Sequence, residues 1–165
     1  MRLLAHLVLL FSLVLAQGET VELTGLLNTT ARLSLADMQK LPAQTLEVTF
    51  QSGQNTEKHT CKGVRLAALI TQAGLKLDDK RKNDKLRKYV VVTAKDGYEA
   101  VVAWGELDPE FGNAPVLLAW EEDGKALEGK NGPFRLVVPT DKRGGRYVSG
   151  VVKIEVRDVD SAPRQ

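Results

Sequence analysis

A loop late in the chain has the composition of an anion-binding site. It places the cations Lys142, Arg143 and Arg146 around the adjacent glycines Gly144 and Gly145, and we call these five residues the basic loop. Paired glycines let backbone N–H groups converge on an anion, and the cations supply charge-assisted hydrogen bonds. We therefore predict that the basic loop contacts an anionic ligand, although a solvated loop between strands would have the same composition.

His59 and Cys61 are the residues best suited to a soft metal ion. If they lie on a strand, their spacing of two puts both side chains on one face. An imidazole and a thiolate could then reach a single ion. Two ligands do not complete a site, and the chain has no second cysteine and only His6 as a further imidazole. We therefore expect no metal site, and we expect Cys61 to be a half-buried free thiol.

Ser52 could act as a nucleophile only beside a base that removes its proton. Hydrolases usually take that base from a histidine, and the chain has only His6 and His59. With so few candidate bases we expect no hydrolase activity and assign no catalytic residue.

These candidate residues must be positioned by a framework rich in strands. Residues 20–26 and 45–50 alternate apolar and polar side chains, as half-buried strands do. Ser34 is a good N-cap for a short helix. Residues 66–73 have helical spacing of their apolar side chains, and Gly74 is placed to end that helix.

The clearest local pattern is a β-hairpin over residues 89–104. Two β-rich runs flank Asp96 and Gly97, a dipeptide that accepts positive φ. Further strands are predicted at residues 115–120, 134–138 and 148–156, with a second tight turn at residues 123–124. Strands outnumber helices, and tight turns favour antiparallel pairing. The sequence therefore predicts an α+β fold with a mixed β-sheet and short helices.

Two further patterns predict which parts of the chain are buried. Trp104, Trp120, Tyr98 and Tyr147 are expected in the core, because aromatic side chains at strand positions usually pack there. Residues 76–88 mix both signs of charge, which predicts a solvated loop.

The first residues have the features of an export signal. Arg2 precedes an apolar run over residues 7–15, and Ala16 has the small side chain that a signal peptidase accepts. We expect residues 1–16 to be removed, which leaves residues 17–165 as a single domain that is periplasmic or secreted. The apolar run is too short to span a bilayer, so no transmembrane segment is expected after cleavage.

The charge and the cysteine count limit the partners and the means of stabilisation. The formal net charge is only +2, and removal of Arg2 lowers it by one. Such a weak field predicts no binding to nucleic acid or to anionic lipid. A single cysteine cannot form an internal disulfide. The hydrophobic core alone must therefore stabilise the fold.

A series of short segments carries a resemblance to a known family. The segments are residues 35–38, 41–42, 49–53, 62–70, 96–98, 117–119, 123–124, 132–139 and 154–156. Their order resembles the molybdopterin-binding domain of the sulfite oxidase family, across nearly the whole mature chain. The resemblance implies an α+β fold with a mixed sheet, and a family that binds a pterin-dithiolene cofactor carrying molybdenum.

Two positions differ from what this resemblance implies. In the catalytic family a cysteine thiolate ligates the metal from the segment similar to residues 49–53, and this chain has Ser52 there. A serine hydroxyl is neutral and a poor ligand for a site that selects a thiolate. The family also holds the cofactor phosphate with basic residues. This chain keeps the cations of the basic loop but has Ser149 where a lysine is expected.

The sequence supports two hypotheses about function. The first is an exported stand-alone domain that is non-catalytic and binds a small anionic ligand or an exported protein partner, with Ser52 and the basic loop at the site. On this hypothesis molybdopterin is a candidate ligand, whereas molybdenum is not expected. The alternative is a molybdopterin-dependent oxidoreductase, or a subunit of one.

Overall fold

The computed structural model describes residues 19–161, so the export signal predicted at residues 1–16 lies outside the described residues. The elements in chain order are β1 (Thr20–Gly25), β2 (Ala31–Ser34), α1 (Leu35–Met38), β3 (Ala43–Ser52), β4 (Asn55–Arg65), α2 (Leu66–Ala73), β5 (Lys88–Ala94), β6 (Glu99–Ala103), α3 (Trp104–Leu107), β7 (Leu117–Glu122), β8 (Lys125–Ala126), β9 (Arg135–Val137) and β10 (Val151–Asp158). Short 3₁₀ turns lie at Asp84–Arg87, Gly129–Asn131, Gly144–Arg146 and Val159–Ser161.

The strands form two sheets. The first has the order β2-β1-β10-β5-β6, in which β1 and β10 are parallel and the other neighbours are antiparallel. The second has the order β3-β4-β7-β8, with β9 also paired to β7, and all its pairs are antiparallel. The predicted α+β fold with mixed strand pairing and short helices is confirmed.

One buried cluster joins the two sheets. Val90 and Ile154 from the first sheet, Leu118 and Leu136 from the second, and Ile70 from α2 are all fully buried within it. Burying an aliphatic side chain of this size contributes about 1.5–3 kcal/mol. The cluster therefore holds in place the strands that carry the candidate site residues.

The helices begin and end where local sequence rules place them. Ser34 caps α1, because its hydroxyl accepts a hydrogen bond from the Asp37 N–H at 3.2 Å and the Asp37 carboxylate accepts one from the Ser34 N–H at 3.1 Å. Helix α2 ends at Gly74, because its φ of 78° lies outside the range of a right-handed helix. Among residues 19–161, no helix is long and apolar enough to cross a bilayer.

The expectation for the aromatic residues is confirmed at three positions and wrong at one. Trp104, Trp120 and Tyr147 are buried. Tyr98 is 51% exposed, because it directly follows the turn of the β5–β6 hairpin. Its hydroxyl donates a hydrogen bond to the Gly145 carbonyl oxygen at 2.5 Å, so Tyr98 contacts the basic loop instead of the core.

The charged segment is solvated except at its end. Asp84 is only 5% exposed, whereas a solvated loop was predicted over the whole segment. The Lys88 ammonium lies 2.8 Å from the Asp84 carboxylate and 2.6 Å from that of Asp158. Ion pairing thus accounts for a buried carboxylate that composition alone assigns to solvent.

Candidate functional site

The hairpin of β3 and β4 presents Ser52 at its tip. Ser52 pairs with Asn55 across a turn in which Gly53 adopts a φ of 61°. The pairing puts Ser52 on the same face as Glu57 and His59. Hydrogen bonds from His59, and then from the Ser52 hydroxyl, lower the pKa of the Glu57 carboxyl. The Ser52 hydroxyl therefore interacts with a carboxylate.

The basic loop is attached along the edge of β3. The Gln51 N–H donates a hydrogen bond to the Lys142 carbonyl oxygen at 2.9 Å, and Gln51 forms a parallel β-bridge with Arg143. Gly144 lies against the ring of Phe50, so closely that a Cβ at this position would be 2.9 Å from the ring carbons. These contacts fix the backbone from which the Lys142 and Arg143 side chains extend.

An open groove of about 430 Å³ lies beside this attachment. It is lined by Thr49, Phe50, Gln51, Thr56, Lys142 and Arg143. Lys142 and Arg143 are exposed, and neither side chain forms an ion pair or hydrogen bond with another residue in the span 19–161. The groove therefore combines two unpaired cations with hydroxyl and amide groups.

Arg146 has a different environment from the other two cations. Its guanidinium donates to both carboxylate oxygens of Asp141, at 2.8 and 2.6 Å, and also pairs with Glu106 at 3.2 Å. The bond to Asp141, followed by the charge of Glu106, keeps the pKa of Arg146 above its usual value. The charge of Arg146 is thus neutralised within the protein, and its role is to hold the basic loop.

Ser52 is not among the residues that line the groove with the two unpaired cations. Side chains at successive strand positions point to opposite faces, so the lining residue Gln51 faces away from Ser52, whereas the lining residue Phe50 shares the face of Ser52. Ser149 forms an isolated β-bridge with strand β9 and adds no charge. The structure therefore brings Lys142 and Arg143 together at the groove and places Ser52 outside its lining, beside Glu57.

A polar cluster that the sequence did not predict surrounds His59. The imidazole Nδ1 lies 2.7 Å from Asp123 Oδ2 and 3.8 Å from Glu122 Oε1, and Nε2 lies 3.2 Å from Glu57 Oε2. The hydrogen bond with Asp123 is the main reason that the pKa of His59 is raised, while partial burial acts the other way. The pairing of β4 with β7 and the turn after β7 create this cluster.

Arg135 connects this cluster to a buried aromatic pair. Its guanidinium donates to Glu122 Oε2 at 2.6 Å and lies 5.8 and 5.6 Å from the ring centres of Phe50 and Tyr147. Such contacts favour the cation where it is desolvated. The Arg135 Nε and the Tyr147 hydroxyl are buried without a hydrogen-bond partner among the described residues.

Cys61 shares a strand face with His59, as predicted, but it is 1% exposed and not half-buried. Burial, with the nearby Glu122 carboxylate, raises the pKa of the thiol to about 11. We therefore predict that a thiol reagent such as Ellman's does not modify Cys61 in the folded protein and modifies it fully after denaturation. Rapid modification of the native protein would contradict the burial.

The fold and the sequence together define the family of the chain. The two sheets and short helices define an α+β domain, and the profile of the oxidoreductase molybdopterin binding domain matches residues 14–164. The chain belongs to that family, as its resemblance predicted. No curated protein matches the chain in sequence.

A solved structure with the same fold is the sulfane dehydrogenase SoxCD from Paracoccus pantotrophus. It superposes with a TM-score of 0.69 at 19% identity, over 87% of this chain and 39% of the SoxCD chain. The similarity at this identity shows a common fold. The chain spans well under half of the length of that relative.

The residues present do not fit a molybdenum ion bound through a protein thiolate. Ser52 provides a hydroxyl beside Glu57, and a thiolate could come only from Cys61, the single cysteine. Cys61 is buried and lies roughly 20 Å along β4 from the hairpin tip, since each strand residue spans about 3.3 Å. This donor set therefore offers no thiolate at the hairpin tip, the place where the resemblance to the family implies one.

Proposed function

We propose that this protein is an exported, non-catalytic member of its family that binds a small anionic ligand in the groove beside β3. The observation that carries the proposal is the pair of exposed cations, Lys142 and Arg143, which have no carboxylate partner among the described residues. Unpaired cations on a fixed backbone are suited to phosphate or a similar anion. The export and the mature start near Gln17 are part of this proposal.

The surroundings of the two cations support an anion over a neutral ligand. Thr49 and Thr56 supply hydroxyl donors, and Gln51 supplies an amide. The backbone contacts of the basic loop limit the flexibility that binding would otherwise have to restrict. Because the groove is open, its electrostatic contribution is screened within about 8 Å at physiological ionic strength. Binding should therefore be weak and sensitive to salt.

A direct test uses inorganic pyrophosphate as the probe. We expect the double substitution Lys142→Ala/Arg143→Ala to weaken pyrophosphate binding by about tenfold, because two exposed, solvent-screened charge contacts together contribute on the order of 1–2 kcal/mol. The control Arg32→Ala/Lys40→Ala removes the same charge from other exposed positions and should leave binding unchanged. If both double variants lose the same affinity for pyrophosphate, the loss results from the change in net charge, and a specific binding groove is refuted.

The non-catalytic part of the proposal has its own measurement. Protein purified from its native exported compartment should contain far less than one molybdenum per chain, and it should show no sulfite-dependent reduction of an electron acceptor. The reason is the missing thiolate at Ser52. Stoichiometric molybdenum, or turnover that Ser52→Ala abolishes, would establish the alternative.

That alternative is a molybdopterin-dependent oxidoreductase or a subunit of one, and family membership favours it. SoxCD is named a sulfane dehydrogenase, and this chain corresponds to 39% of the matching SoxCD chain. An exported protein partner could supply the remainder of such an enzyme. Purification at native abundance with a test for co-purifying redox proteins would identify a partner of that kind.

A further inference from the structure

The cluster around His59 has a donor set that divalent transition metals prefer. One atom from each of His59, Glu122 and Asp123 can be chosen so that all three lie within 4.8 Å of one another. An imidazole nitrogen with two carboxylate oxygens is a borderline set, typical of zinc and its neighbours and not of magnesium or calcium. Two carboxylates also balance the charge of a divalent ion.

The separations in this cluster are close to those of a coordinated ion. Nδ1 of His59 lies 2.7 Å from Asp123 Oδ2 and 3.8 Å from Glu122 Oε1. Ligand atoms that bind a tetrahedral zinc at about 2.0–2.1 Å stand about 3.3 Å apart. The two observed separations lie on either side of that value. Small side-chain rotations would therefore suffice to bring the three atoms around one ion.

Each of the three residues also has a second polar atom, which forms a hydrogen bond with a group outside this set of three. Nε2 of His59 lies 3.2 Å from Glu57 Oε2, and Oε2 of Glu122 accepts from Arg135 at 2.6 Å. Oδ1 of Asp123 accepts from the Thr60 N–H at 2.8 Å. Such partners are the usual outer shell of a metal site, where they fix the orientation of ligands and the tautomer of the imidazole. The remaining polar atoms are His59 Nδ1, Glu122 Oε1 and Asp123 Oδ2, and each of them faces the other two residues of the cluster.

We propose that His59 Nδ1, Glu122 Oε1 and Asp123 Oδ2 bind a divalent transition-metal ion, with zinc as the reference ion and Glu57 positioning the imidazole. Three protein ligands leave a coordination position for water or a small anion. The side chain of Asp123 is 52% exposed, so an ion could enter from solvent. Cys61 is not a ligand at this site, because its buried thiol lies 3.9 Å from the Glu122 oxygen that Arg135 already occupies.

A protonated imidazole paired with these carboxylates is the competing explanation of the same geometry. The two explanations differ in their response to zinc, since a metal requires the neutral imidazole and releases its proton on binding. Calorimetric titration of the untagged protein with zinc chloride, in two buffers of different ionisation enthalpy, measures both the affinity and the proton release. A histidine tag would bind zinc and must be absent.

We expect the wild-type protein to bind one zinc ion and to release protons as it does so. His59→Gln and Asp123→Asn should abolish that binding, and Glu57→Gln should weaken it by about tenfold, the usual effect of an outer-shell change. Asn tolerates the φ of 52° at position 123, so Asp123→Asn preserves the turn.

Two control variants separate this site from general charge effects and from the thiol. Glu47→Gln removes an exposed carboxylate of the same hairpin, and Cys61→Ala removes the only thiol; both should retain the wild-type zinc affinity. No zinc binding by the wild-type protein at millimolar zinc, or equal affinity in wild-type, His59→Gln and Asp123→Asn, would refute the site. Loss of zinc in Cys61→Ala alone would assign the ion to the thiol and also refute it. None of these outcomes depends on the anion groove.

Discussion

Replacing Lys88 with Met is expected to destabilise the folded protein by about 3 kcal/mol, the usual effect of removing one partner from a buried ion pair. The Lys88 ammonium lies between Asp84 and Asp158, and its side chain is only 6% exposed. Burial alone would lower the pKa of Lys88, but the bonds to Asp158 and Asp84 outweigh it and raise that pKa. Met keeps the length of the side chain, leaves the buried Asp84 carboxylate without a cation, and leaves Asp158 with only the more distant Arg87 guanidinium at 3.3 Å. Urea denaturation at neutral pH measures the loss.

The pH dependence of this effect distinguishes charge from packing. In the wild-type protein the hydrogen bond from Lys88 lowers the pKa of Asp158 from 3.8 to about 2. The ionised Asp158 therefore stabilises the fold fully above about pH 4, and this contribution is lost as the pH falls toward 2. In Lys88→Met, protonation at low pH removes the cost of burying carboxylates that have lost the Lys88 cation. The difference in the free energy of unfolding between the two proteins should therefore shrink as the pH falls. If the difference in the free energy of unfolding does not change with pH, the loss of stability comes from packing and not from charge.

An exposed pair provides the matched control. Lys58 pairs with Glu47 at 3.2 Å, with side chains 66% and 69% exposed. Lys58→Met makes the same chemical change at the surface, where an ion pair contributes at most about 1 kcal/mol. A loss in Lys58→Met comparable to that in Lys88→Met would contradict the argument from burial.

Local rules were sufficient to predict most of the elements. The Ser34 cap, the Gly74 helix end and the hairpin at Asp96 and Gly97 depend on residues that are close in sequence, and all are observed. Burial was harder to predict, because it depends on what packs above each strand. Tyr98 and Asp84 illustrate this, since a turn exposes the first and the Lys88 ammonium buries the second.

The polar cluster could not be predicted because its contacts are distant in sequence. His59 and Asp123 are separated by 64 residues, and their contact depends on the register between β4 and β7. A shift of one residue would turn Glu122 to the opposite face. The sequence predicted only that His59 and Cys61 share a face, since that follows from strand alternation alone. The cations of the basic loop were predicted as a group, and only the structure distinguishes the paired Arg146 from Lys142 and Arg143.

Gly63 determines how closely β4 and β7 approach each other. Gly63 pairs with Ala119 where the register shifts by one residue. A Cβ at position 63 would lie 2.5 Å from the Cα of Ala119 and would overlap the carbonyl oxygen of Leu118. Both are backbone atoms, so no side-chain rotation can relieve the overlap. The close approach also sets the relative positions of His59 on β4 and Glu122 on β7.

We therefore expect Gly63→Ala to destabilise the protein by about 3 kcal/mol, at the upper end for overpacking, because the two strands must separate. For a domain of this size that corresponds to a decrease in Tm of roughly 10 °C. Gly145→Ala is the control, since a Cβ there meets no atom within 4 Å, and its stability should stay within about 0.5 kcal/mol of the wild type. Thermal and urea denaturation of the two variants measure the difference. If Gly63→Ala is as stable as Gly145→Ala, the strands can separate at little cost, and the register between His59 and Glu122 is then not fixed by this contact.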